Sequence, residues 1–283
     1  MQPLAPLVGR HAVIEEKLDG ANCALSFTEG GELCLQSRGH YLLGGGRERQ
    51  FAALHPWARA HEAVLLERLQ DRYVLYGEWM FAKHAMFYDR LPHCLLEFDV
   101  WDRAAQCFLS TPRRRALLAG LPVVPVPVVY EGAMPDRLDW LWSLVGPSLA
   151  RSPQWSAALD EAIARLRLPH ALCRQQSDPS PWAEGLYVKL EDADQVLARF
   201  KLVRADFVQH ILDSGTHHSE RPLIPNQLAP GVDLYAPQPL VNWETFGARC
   251  VRGLDALQAH HAAWARTASG SAVVVAAAAV DNN

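Results

Sequence analysis

A lysine that leaves a strand-like stretch beside a glycine turn can attack an electrophile, and Glu16-Lys17-Leu18-Asp19-Gly20-Ala21-Asn22 offers one. Alone, this K-x-D-G tetrad is more commonly a solvated turn lysine paired with Asp19, and Asn22 reads equally as a turn-capping side chain. Further segments follow in order: Ser37-Arg38-Gly39, Tyr76-Gly77-Glu78-Trp79, Glu97-Phe98-Asp99, Glu184-Gly185-Leu186-Tyr187-Val188-Lys189 and Arg199-Phe200-Lys201-Leu202-Val203. Taken singly, Phe98 serves as well for a core aromatic, and a Glu-Gly pair such as Glu184-Gly185 is most often a turn. Together the segments supply a nucleophile, cations and carboxylates. A free lysine, with pKa about 10.4, is neutral in less than about one part in a thousand at pH 7. Nearby cations disfavour the ammonium, and Arg38, Lys189, Lys201 or a bound metal ion would supply that field. The same charges would stabilise an anionic transition state.

The ordered series resembles the covalent nucleotidyltransferase superfamily of polynucleotide ligases and capping enzymes, most closely the ATP-dependent RNA ligases, over Glu15 to about Asp206. The resemblance implies an α+β nucleotidyltransferase (ATP-grasp-like) fold of antiparallel sheets flanked by helices. It implies that Lys17 attacks the α-phosphate of ATP to give a lysyl-adenylate. AMP then passes to an RNA 5′-phosphate, and a 3′-hydroxyl displaces it. Lys17, Glu184 and Lys201 would be catalytic. Glu16, Asp19, Asn22, Arg38, Glu78, Phe98, Lys189, Arg199 and Lys201 would surround the nucleotide, with Arg38 and Glu78 on the ribose and Phe98 stacked on adenine. Glu184 matches the family carboxylate that binds the catalytic metal. Magnesium, with manganese as a substitute, suits carboxylate and phosphate oxygens. The family's K-x-K becomes Arg199-Phe200-Lys201 here, so a forked guanidinium replaces a compact ammonium. Asn22 matches an asparagine that follows the nucleophile motif in many RNA ligases.

These residues need strands to hold them. Ala12 to Glu16, Cys23 to Phe27 and Glu32 to Gln36 read as strands of an antiparallel meander, with Gly30-Gly31 as a turn. Arg49 to Leu69 has helical spacing broken near Pro56. Tyr73 to Trp79 and Cys94 to Trp101 return to buried-strand composition, and the prolines of 122–127 allow only an edge or extended segment. Asp136 to Val145 and Trp155 to Leu166 read as helices of an insertion near 131–180. Gly185 to Leu190 and Val196 to Val203 read as a closing hairpin, followed by a helix over Ala205 to Leu212. Residues 1–213 are therefore expected to form the adenylylation domain, and 214–283 a Pro/Ala-rich helical or irregular appendage ending in the weakly specified run Ala272 to Val280.

Composition narrows the function. With 283 residues, 49% hydrophobic and 20% charged, the chain supports one sizeable core. Net charge is −4, so a polyanion must be met by a local basic site. Six scattered cysteines without a C-x-x-C pair argue against structural zinc and a disulfide framework. The longest apolar run, nine residues, is too short for a bilayer span, and no basic-then-apolar leader opens the chain. A cytoplasmic location and no membrane partner are expected. Arg113-Arg114-Arg115, after Thr111-Pro112 as N-cap and first helical position, reads as a solvated helix face. His217-His218 and His260-His261 read as surface, and most of the nine tryptophans as core.

DNA ligases and GTP-using guanylyltransferases share the early motifs but carry an OB-fold after the last lysine. Only 82 residues follow Lys201, and they do not read as five alternating strands, so no OB-fold is expected. A non-catalytic RNA-end-binding module would be expected to lose Lys17 or Glu184 first. No P-loop is present, so a separate end-healing kinase or phosphatase is a candidate partner beside RNA with 5′-phosphate and 3′-hydroxyl ends.

Overall fold

The computed structural model describes residues 7–214, 221–267 and 275–279. Strand β1 (His11–Lys17) alternates its side chains, with Ala12, Ile14 and Glu16 on one face and Val13, Glu15 and Lys17 on the other. The turn at Leu18-Asp19-Gly20 then carries the chain out of that sheet. A Cβ at Gly20 would stand 2.6 Å from Met80 Sδ and 3.3 Å from the Trp79 carbonyl oxygen, so the crossing needs glycine. It delivers β2 (Ala21–Phe27), β3 (Leu33–Ser37) and β4 (His40–Tyr41) to a second sheet. The expected meander therefore holds for β2 and β3 but excludes β1.

A 3-10 turn (Gly46–Phe51), helices α1 (Leu54–Ala60) and α2 (Glu62–Leu69), and strands β5 (Tyr73–Trp79), β6 (Leu95–Asp102) and β7 (Cys107–Phe108) follow. The helix break falls at His61, not at Pro56, which sits in the first turn of α1 where its missing N–H costs nothing. Next come α3 (Thr111–Leu118), β8 (Val124–Pro125), β9 (Val128–Ala133), α4 (Leu138–Trp142), α5 (Trp155–Arg165), α6 (His170–Gln175), β10 (Gly185–Glu191), β11 (Val196–Arg204) and α7 (Ala205–Asp213).

The second sheet runs β4-β3-β2-β5-β6-β7, with β8 parallel beside β6 as an edge segment. Its outer face packs Leu25, Phe27, Leu35 and Leu75 against Leu54, Trp57, Leu65 and Leu69 of α1 and α2. The first sheet joins β9, β1, β10 and β11 antiparallel. Beyond α7 the chain adds a 3-10 turn (Trp243–Phe246), β12 (Val251–Arg252), α8 (Leu254–Thr267) and β13 (Val275–Ala279). β12 lies parallel to β9 and β13 antiparallel to β11, so both extend the first sheet's edges. The stretch expected to be a weakly specified tail thus contributes an edge strand, and α8 packs Leu257 onto the outer face with Ile14, Leu141 and Leu202.

The two sheets face each other across a charged seam. Arg114 of α3, expected on a solvated face, is fully buried there. Ser110 is the N-cap and Thr111 and Pro112 open the helix, so the register differs by one residue and turns Arg114 inward. All six cysteines are free. Trp57, Trp79, Trp142, Trp155 and Trp243 are buried, whereas Trp182 is exposed. His260 and His261 are half-buried rather than surface, His260 Nε2 lying 2.9 Å from the Ser143 carbonyl oxygen. His217 and His218 lie outside the described residues. No helix among the described residues is long and apolar enough to cross a membrane.

Candidate active site

Lys17 ends β1 directly opposite Gly185, the first residue of β10. A Cβ at Gly185 would lie 1.9 Å from the Leu202 carbonyl oxygen, so this close approach of β10 to β11 admits only glycine. Glu184 precedes that glycine, and its carbonyl oxygen accepts the Arg204 N–H at 3.0 Å. The Lys17 ammonium reaches both carboxylate oxygens of Glu184 at 2.7 Å. Burial favours the neutral amine, but Glu184, Glu78 and Asp19 outweigh it and hold the Lys17 pKa above its ordinary value. The expected cationic field therefore does not govern Lys17 here. Those carboxylates keep the lysine protonated.

Glu78 stands in β5 opposite Asn22 of β2, which places the two side chains on the same sheet face. One Glu78 carboxylate oxygen is buried without a hydrogen-bond partner. Burial, reinforced by Glu184 and Asp19, raises its pKa to about 8 against the pull of Lys17 and Lys201. Burial likewise raises Glu184 to about 7. Lys201, on β11 opposite Tyr187, has its pKa lowered by burial and then by the charges of Lys17 and Arg38. Arg38 is exposed on the β3–β4 turn, where Gly39 takes φ +93. Half-buried Phe98 lies 6.1 Å, centroid to centroid, from Tyr187, and the Lys201 ammonium is 6.0 Å from the Tyr187 ring. Lys17, Glu78, Glu184, Lys201 and Arg38 thus form one electrostatically coupled group.

The remaining expected ligands are engaged elsewhere. Lys189 is buried against Glu15 at 2.9 Å and Asp99 at 3.1 Å, and it also donates to the Phe98 carbonyl. Arg199 pairs with Asp99 at 3.0 Å and lies 3.8 Å over the Phe108 ring, which turns its guanidinium into the seam. Arg114 completes the seam, 2.8 Å from Glu15 and 3.5 Å from Glu97. Glu16 points to the opposite face of β1, accepts from the Ser148 hydroxyl and the Leu149 N–H, and is raised by burial to about 7. Asp19 accepts the N–H groups of Ala85 and Met86, each at 2.7 Å.

Residues 10–203 match the family model described as RNA ligase. The chain belongs to the RNA ligase family. Lys17, Glu184 and Lys201 all fall within the matched span. No curated protein sequence matches the chain. Among solved structures it is similar to a variant of Naegleria gruberi RNA ligase with ATP and Mn, at 16% identity and TM-score 0.49, covering 74% of this chain and 54% of that one. A second, Naegleria gruberi RNA ligase with PPi, is 18% identical at TM-score 0.49, with 74% and 53% covered. The chain therefore spans about half the length of these solved ligases.

For this RNA ligase family member, a hard divalent cation fits the oxygen donors at the site. Glu184 would supply them, and no cluster of three or more metal-binding side chains occurs among the described residues. A single carboxylate suits magnesium that takes its other ligands from phosphate and water. Sequence reasoning gave no role to Glu15, Glu97, Asp99, Tyr187 and Tyr88, and placed Arg114 on a solvated face. The signal available was charge at alternate positions of otherwise apolar strands, as in Val13-Glu15-Lys17.

Proposed function

We propose that this member of the RNA ligase family is an ATP-dependent enzyme that seals RNA 5′-phosphate and 3′-hydroxyl ends through a lysyl-adenylate on Lys17. The observation that carries this reading is the Lys17 ammonium held 2.7 Å from Glu184, beside Glu78 and Lys201, at the ends of β1 and β10. Once Glu184 turns to other partners, burial favours loss of the Lys17 proton to solvent. The neutral Nζ then forms a P–N bond to the ATP α-phosphorus as the bond to pyrophosphate breaks. Lys201 stabilises negative charge on the phosphoryl oxygens. Glu78 and Arg38 hold the ribose, and Phe98 stacks on the base. Glu184 would hold magnesium, or manganese in its place, which would neutralise the triphosphate and the departing pyrophosphate. An RNA 5′-phosphate oxygen then attacks the adenylate phosphorus and releases the Lys17 amine. A 3′-hydroxyl attacks that 5′-phosphate and expels AMP.

The RNA branch is tested on nicked duplexes. Two ribonucleotides at the 3′-hydroxyl side should permit sealing, and deoxynucleotides there should slow it, because the terminal ribose must align for in-line attack and its 2′-hydroxyl distinguishes RNA from DNA. Equal or faster sealing of the all-DNA nick would refute the RNA assignment. Failure on both nicks with sealing of a broken single strand or hairpin loop would move the substrate to loops.

A further inference from the structure

Segment 224–229, outside the expected catalytic domain, threads along the loop that follows β5. Five backbone hydrogen bonds join them: Lys83 N–H to the Ile224 carbonyl at 2.8 Å, Asn226 N–H to Phe81 at 2.8 Å, Gln227 N–H to Tyr88 at 2.8 Å, Leu91 N–H to Gln227 at 3.0 Å and Ala229 N–H to Leu91 at 2.9 Å. The Asn226 side chain braces the base of the same loop, its Oδ1 accepting the Tyr88 N–H at 2.9 Å and its Nδ2 donating to the Met80 carbonyl at 2.8 Å. The loop in turn grips the turn after Lys17. Ala85 and Met86 donate to the Asp19 carboxylate at 2.7 Å each, and the Asp19 N–H donates to the Tyr88 hydroxyl at 2.8 Å. Tyr88 is fully buried, so that hydroxyl has no water to exchange with.

From this chain of contacts we infer that segment 224–229 is a strap that sets the position of Lys17, with Asn226 as a positioning residue acting through Tyr88 and Asp19. The inference rests on Lys17 being the nucleophile of the proposed reaction. Asn226 hydrogen-bonds Tyr88 and Met80, at the base of the loop. It fixes where the loop presents the amides of Ala85 and Met86, and these fix Asp19 two residues beyond the nucleophile. Misplacing a reacting atom by about 1 Å costs on the order of a hundredfold in rate, so a loosened brace should appear in the chemical step and not in nucleotide binding.

The test compares full-length wild type with Asn226→Ala, Asn226→Asp and Tyr88→Phe. Amide hydrogen exchange is read at Asp19, Ala85 and Met86, together with single-turnover adenylylation across ATP concentrations. Asn226→Ala should speed exchange at Ala85 and Met86 by about tenfold or more. It should lower the maximal adenylylation rate by about tenfold or more, with half-saturating ATP changed by less than about threefold. Tyr88→Phe should speed exchange at Asp19. Asn226→Asp keeps the acceptor for Tyr88 but sets a carboxylate oxygen where Nδ2 donated to the Met80 carbonyl, so it should speed exchange at least as much as alanine, and Tyr88→Phe carries the test if neither Asn226 variant folds. Unchanged exchange at all three amides, or a rate loss fully recovered by more ATP, overturns the strap. Wild type that never forms an adenylate overturns the proposed reaction instead, and the exchange results still decide the strap.

Discussion

Lys17 and Glu184 hold each other at 2.7 Å, and the pair makes a prediction about pH. The Lys17 pKa is raised because the charges of Glu184, Glu78 and Asp19 outweigh burial. Replacing Glu184 by Gln removes the first of those charges, so the ammonium should lose its proton at lower pH. The rising limb of kcat/KM for ATP, which reports the free enzyme, should therefore move to lower pH in Glu184→Gln, with a reduced plateau. An unmoved limb would mean that this pair does not govern the proton. Lys201→Ala should cost at least about a hundredfold in adenylylation, the scale of one preorganised contact to a transition state, and extra magnesium should not restore it. The cluster Lys17, Glu78, Glu184 and Lys201 was legible in the sequence because its residues stand in ordered motifs. The direction of the Lys17 shift was not, since it depends on a 2.7 Å contact between residues 167 positions apart.

Among the elements, β1, β10 and β11 set Lys17 at one end of their shared face and Lys201 in register with Glu15 and Tyr187, and bury Lys189 and Arg199 further along it. Charge between sheets is stable only when paired. Arg114 from α3 serves both Glu15 and Glu97, so Arg114→Met should destabilise the protein by ~3–5 kcal/mol, the cost of leaving buried carboxylates without their partner. Urea unfolding checks this, and a loss under about 1 kcal/mol would show that the seam relaxes around the change. Strand identity was readable from composition, as with Tyr73–Trp79, which matches to the residue. Strand partnership was not. β1 and β2 are three residues apart yet lie in different sheets, because the crossing at Gly20 depends on its approach to Met80 and Trp79. Arg114 looked like one of three surface arginines because only its contacts across the seam distinguish it. Of the C-terminal strands, β13 was hidden in Ala-rich sequence with little alternation, and β12 is only two residues long.

For the whole molecule, the site is bought at a cost in stability that pH reveals. Burial raises Glu78 from 4.5 to about 8, ahead of the effects of its charged neighbours. A carboxyl whose folded pKa exceeds its unfolded one contributes stability that is complete below the unfolded value and lost as pH rises through the folded value. Glu78→Gln should therefore gain stability relative to wild type as pH climbs from about 4.5 to about 8, by ~1–3 kcal/mol, and show no such relative gain below that window. Thermal unfolding of the two proteins across pH checks it, and a constant difference would refute the assigned shift. Incubation of the pure protein with α-labelled ATP and magnesium, followed by denaturation, digestion and sequencing of the labelled peptide, bears most directly on Lys17. AMP linked to Lys17, from ATP far more than from GTP, and absent in a folded Lys17→Ala variant, is the predicted result. Label retained in Lys17→Ala, found on another residue, or never formed by the wild type would contradict Lys17 as the nucleophile.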